Sequence, residues 1–127
     1  MKTKKIINTI GCVITIGFGL MGLLFPEKAS ELTGLQATAP RGIAEFRGTF
    51  GGAFLLMGLI PLLTKQPSVY LLSGLIWWGA VAGRIISLFA DNGFSDSQNF
   101  GGLAFEFLFG FMLAFGNFSS FSRKGAE

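Results

Sequence analysis

Four apolar runs of about 20 residues, at 6–25, 43–63, 68–90 and 100–118, constrain this chain more than anything else in it. A helix rising 1.5 Å per residue needs about that length to cross a hydrocarbon core roughly 30 Å thick. Lipid offers no partner to backbone N–H and C=O groups, so each run must be helical or part of a closed barrel. Barrel strands alternate apolar and polar residues, and these runs do not. The sequence therefore predicts an all-α membrane protein, a four-transmembrane-helix up-down bundle forming one integral membrane domain over residues 1–127. Composition agrees: half of the residues are hydrophobic and only 13% are charged, against about 25% in soluble domains.

The intervals between runs fix the connections. TKQP, with Pro67 ahead of the third run, and DNGFSDSQN, rich in turn formers, are short enough to leave consecutive helices antiparallel. The longer PEKASELTGLQATAPRG predicts a short outer interfacial helix between helices 1 and 2. Pro26 suits a first helical position, Ala29 and Leu32 share a face, and Gly34 can end the turn. MKTKK has the look of a signal-peptide n-region, but the apolar run after it is too long and no small-x-small site closes it, so the first run is expected to be retained. Cys12 precedes most of that run, whereas an acylated cysteine would follow it. It reads as a lone buried thiol, with no internal disulfide to make.

Orientation follows from Lys and Arg in the flanks. Lys2, Lys4, Lys5, Lys65, Arg123 and Lys124 fall on one side if four spans alternate, while the other side has Lys28 and Arg41 together with Glu27, Glu31, Asp91 and Asp96. Both termini are thus expected in the cytoplasm. The N-terminal lysines are topogenic, and a net charge of +3 points to no nucleic-acid partner.

Glu45, Arg47, Arg84 and Glu106 lie inside the runs, within roughly 3 to 9 Å of the outer boundary at the rise of an α-helix. A charge at a helix centre costs roughly 2.5 to 3.5 kcal/mol, somewhat less at this depth, so each needs a partner. On a helical wheel Arg84 shares a stripe with Ser73, Trp77, Ala80, Ser87 and Asp91, and Glu106 shares one with Asn99, Gly102, Gly110, Leu113 and Asn117. Asn8, Gly11, Cys12, Thr15, Gly19 and Gly22 make a milder stripe on the first span. In the second, Glu45 aligns with Gly48 and Gly52, and Arg47 with Gly51, Phe54 and Gly58 on nearly the opposite side. Residues i and i+2 do not face each other, so Glu45 and Arg47 cannot neutralise one another. The expected arrangement is a polar layer in which Glu45 and Glu106 flank Arg84, Arg47 sits at the rim, and Trp77 and Ser87 stand on the Arg84 face. Gly48 with Gly52 and Gly79 with Gly83 have GxxxG spacing, and with Gly51, Gly102 and Gly110 they are the candidate helix-packing positions.

GL in the outer loop, AEFRGTFGG opening the second span, GRIISLFADNG closing the third and FEFL in the fourth together resemble a bacterial family of small four-helix membrane proteins, domain of unknown function 4345, related to the DoxX-like membrane proteins. The resemblance covers nearly the whole chain, with Glu45, Arg47, Gly48, Gly51, Gly52, Gly83, Arg84 and Glu106 at its motif positions. It departs at Phe46 and Phe50, where the family commonly has an aliphatic residue and a Tyr. It implies a multi-pass protein of the bacterial cytoplasmic (inner) membrane and brings no activity with it.

With no His and one Cys, the chain has no zinc, haem or iron–sulfur ligand set, so no metal and no cofactor is expected, nor any Ser-His-Asp or Cys-His arrangement. No GxxxxGK[ST] phosphate loop occurs. The reading favoured is a binding or accessory protein that holds a lipid-like or small amphiphilic ligand against Arg84, with membrane lipids and a homo-oligomer or larger membrane complex as its partners. The alternatives are an ion-pair network that only fixes helix register in a scaffold subunit, a proton-linked small transporter, and a lipid-modifying enzyme using Glu45 or Glu106 as proton carrier.

Overall fold

Pro26, Pro40 and Pro67 each stand in the first turn of a helix, where a missing N–H costs nothing. The computed structural model describes residues 1–122; Arg123 and Lys124, two of the charges used to orient the chain, lie outside the described residues. It is 85% helical, with no strand among the described residues. The elements are α1 (Lys2–Leu24), α2 (Pro26–Thr33), α3 (Pro40–Phe46), a π-helical segment (Arg47–Ala53), α4 (Phe54–Thr64), α5 (Pro67–Ala90), a 3₁₀ turn (Gly93–Ser95), α6 (Gln98–Ala114) and α7 (Ser119–Ser122). Three stretches are long and apolar enough to cross a membrane: Lys2–Leu24, Pro40–Thr64 and Pro67–Ala90. The fourth run is shorter than its apolar sequence suggests, because α6 stops at Ala114 after 17 residues. The short helix between the first two spans is α2, ended by Gly34 at φ 74°, a left-handed conformation that a side chain would strain.

The chain divides into two compact units, Thr9–Thr64 and a second that joins Met1–Asn8 to the chain from Lys65 onward. In the first unit, α1 turns Gly11, Cys12, Thr15, Gly19 and Gly22 inward, all buried. These small residues bring backbones together: a Cβ on Gly22 would lie 2.7 Å from the carbonyl of Phe50, and one on Gly58 would lie 2.6 Å from that of Cys12. The π-helical segment widens the turn of this span through its i→i+5 bonds. The two sides of the wheel survive it: Arg47, Gly51 and Gly58 all meet α1, at the Leu23 carbonyl, the Leu23 side chain and the Cys12 carbonyl, while Glu45 and Gly48 are exposed on the other side. The buried positions are Phe46, Gly51, Gly58 and Pro61, and the step from Phe46 to Gly51 is one π turn. Phe46 and Phe50 stack along this turn, with centroids 4.6 Å apart and planes inclined by 13°.

In the second unit α5 packs along α6. Trp77 is buried against Phe105 and Phe109, with both centroid separations 5.9 Å. Trp78 donates its indole N–H to the Phe107 carbonyl (3.2 Å) and stacks on Phe107. Below them α6 ends because side chains take over its last carbonyls. Asn8 Nδ2 donates to Met112 (2.6 Å), Asn117 Nδ2 donates to Leu113 (2.8 Å) and to Asn8 Oδ1 (3.0 Å), and Gly116 turns the chain away at φ 70°.

α5 and α6 come close, backbone to backbone, at Gly74, where a Cβ would lie 2.7 Å from the Gly110 carbonyl oxygen and 2.9 Å from the Ala114 nitrogen. Backbone cannot give way as a side chain can, so Gly74→Ala should cost about 1 to 3 kcal/mol. Gly79→Ala, on the open side of α5, should stay within about 0.5 kcal/mol. Thermal unfolding of the two variants in one detergent checks the contrast, and equal melting temperatures would contradict the packing described.

Candidate functional site

Asn99, Gly102 and Glu106 follow one another at spacings of three and four along α6, so they share a face. Arg84, near the Ala90 end of α5, reaches across to all three. Its Nε donates to Glu106 Oε2 (3.0 Å), its Nη2 to Glu106 Oε1 (2.7 Å) and its Nη1 to Asn99 Oδ1 (3.1 Å). The two parallel bonds to one carboxylate are the fork-to-fork geometry that only arginine can offer. Gly102 gives the guanidinium its bed, since a Cβ there would stand 2.6 Å from Arg84 Cζ. Asn99 is in turn held by its Nδ2, which donates to the Gly93 carbonyl (2.8 Å) in the turn between α5 and α6. That bond orients the amide oxygen toward Arg84.

The cluster is not sealed. The side chains of Arg84 and Glu106 keep 26% and 13% of their surface accessible. Beside them lies a shallow open recess of about 290 Å³ lined by Ala80, Gly83, Arg84, Ser87 and Asn99. Three of the guanidinium's five N–H groups are engaged, leaving one on each Nη.

Of the four membrane charges, Arg84 and Glu106 form the one ion pair among the described residues. Glu45 is exposed, and within its own unit Arg84 is bonded to Glu106 and Asn99. Arg47, within its own unit, donates to the Leu23 carbonyl in the last turn of α1. There a cation satisfies an orphan carbonyl and opposes the negative end of the helix dipole. Within one unit Arg84 pairs with Glu106, and within the other Arg47 caps α1. Ser87 lines the recess, whereas Trp77 is packed into the α5–α6 core and is not among the residues lining it. Among the glycines, Gly51 fits against Leu23, Gly102 against Arg84 and Gly110 against the Trp78 ring, while Gly48, Gly79 and Gly83 have nothing within 4 Å and Gly52 meets only the Arg47 carbonyl oxygen, at 3.8 Å. The GxxxG pairs thus draw no helix close within their own units. Asn99 was on the wheel face of Glu106; its polarity at the Glu106 −7 position, two turns toward the loop, was the signal that it belonged to the site.

A family model, Domain of unknown function (DUF4345), matches residues 3–117. The chain belongs to this family. No curated protein and no solved structure matches it. The DUF4345 match spans every residue of the Arg84 cluster and the π-helical segment, so both lie in the family's own domain.

In this DUF4345 chain the pair should be measurable as coupling. Arg84→Leu and Glu106→Leu each strand a charge, while the double variant strands none. The double-mutant cycle in detergent is expected to return a coupling on the order of 1 kcal/mol. Strictly additive losses would show that the two side chains do not act together.

Proposed function

We propose that this DUF4345 protein is a binding or accessory membrane protein whose Arg84 cluster holds the polar end of a lipid-like or other small amphiphile. The observation that carries this reading is the recess. An ion pair serving only helix register needs no open space beside it, yet Arg84 fronts an opening with two N–H groups unspent. Apolar surface around the cluster suits an alkyl tail, since Ile85, Ile86 and Phe89 are all exposed. The same reading takes α6 as a fourth membrane helix in an up-down bundle of DoxX-like kinship, set in a bacterial inner membrane with both termini cytoplasmic and the cluster toward the outer face. The lysines of the N-terminus and Lys65 support that orientation. The transport alternative loses support, because Asn8, Thr15, Ser73 and Asn117, the polar residues that a proton path would use, are buried, and the threonine and both asparagines are bonded to backbone carbonyls.

Native mass spectrometry of the purified protein, wild type beside Arg84→Ala, tests the reading. A bound small molecule retained by the wild type and depleted at least about tenfold in the variant is expected, the loss of about 1.4 kcal/mol. No bound molecule in either leaves only the register role.

A further inference from the structure

Resting on that binding reading, we infer that the occupant of the recess is electrically neutral and presents a carbonyl oxygen to Arg84. Three classes of polar head are conceivable, and the charges around the recess separate them. Arg84 is the sole base in residues 66–122, which also hold Asp91, Asp96 and Glu106. The guanidinium charge is matched by Glu106 at 2.7 Å, so the cluster is neutral and the acids of the α5–α6 turn leave its surroundings negative. An anionic head would meet no uncompensated positive charge and would face like charges, a juxtaposition that costs several kcal/mol in a poorly solvated setting.

A cationic head would be drawn by those acids but met by the guanidinium's own charge and outward N–H groups, with Glu106 already matched to Arg84. The lone pairs left on the wall are those of Asn99 Oδ1 and the Ser87 hydroxyl, both neutral. The recess is richer in donors than in charge-bearing acceptors. A neutral carbonyl, with two lone pairs, takes the two unspent N–H groups without displacing Glu106, and the Ser87 hydroxyl on the same wall can add a third donor. Ala80 and Gly83 leave the rest of the recess wall small and apolar, suited to the first carbons of an acyl chain. The chemistry is that of a neutral acyl ester or amide, of which diacylglycerol is the simplest membrane example.

The test uses the full chain in nanodiscs and three lipids that share one photoreactive acyl chain: diacylglycerol, phosphatidate and a diacyl trimethylammonium-propane. Labelling is located by peptide mass spectrometry and compared with Gly83→Leu. That variant fills the recess with a side chain that has nothing within 4 Å of its Cβ to displace, and an unchanged melting temperature certifies its fold. Diacylglycerol is expected to label the peptide containing Ala80 to Ser87, at least about tenfold more than either charged lipid, and Gly83→Leu should abolish the difference. Equal or stronger labelling by phosphatidate or by the cationic lipid, still lost in Gly83→Leu, overturns the neutral-carbonyl assignment while upholding a binding site. Labelling by all three that Gly83→Leu leaves unchanged overturns both.

Discussion

In hydrocarbon a polar group with no partner is more costly than most packing defects, and the placement of polar side chains in this chain follows from that constraint. Thr15 returns its hydroxyl to the Gly11 carbonyl one turn back. Asn8 and Asn117 clasp each other and the carbonyls that α6 leaves open where it ends. Arg47 closes the end of α1 and Arg84 closes on Glu106. Asn8, Asn117 and Arg47 thus complete backbone termini, and Arg84 completes another side chain. Helix ends and charges are handled by one device, because both are unsatisfied hydrogen-bonding groups with no water to turn to.

The helical class and the apolar runs were legible in the sequence because their signals are long: a period-free apolar stretch of about 20 residues admits few folds. The facing of Arg84 and Glu106 was legible too, because α5 and α6 are regular around those positions and a 100° wheel describes them. In the second span the wheel separated Arg47, Gly51 and Gly58 from Glu45 and Gly48 but missed the pitch. RGTFGGA adopts i→i+5 bonding, and a wheel assumes the pitch it is used to infer; the glycines that make such a turn easy also spread it over seven residues. The end of α6 was misread for a related reason. The apolar pattern continues through Phe115 and Phe118, yet the helix is stopped by Asn8, distant in sequence, and by Asn117 and Gly116, whose combined effect no local hydropathy records.

The partners of Arg84 were only half legible. Acids and bases at a similar depth suggest that every pairing is open, and the choice is made by distances that a single sequence does not contain. What decides it is Gly102. With a side chain there, the guanidinium would have to shift from its bed against α6, where it reaches Glu106 and Asn99 together. A lysine at 84 would satisfy one carboxylate oxygen and leave the amide unbound, so the fork geometry and the glycine belong to the same arrangement.

That arrangement also bears on what the site selects. Pairing Arg84 with Glu106 cancels the long-range field that draws charged ligands to a basic pocket, and it leaves intact the short-range donors that read hydrogen-bond acceptors. Asn99 strengthens the effect, since it takes one Nη1 hydrogen and thereby fixes the plane in which the remaining two point. On the binding reading, a recess built in this way would select by the number and direction of lone pairs rather than by charge.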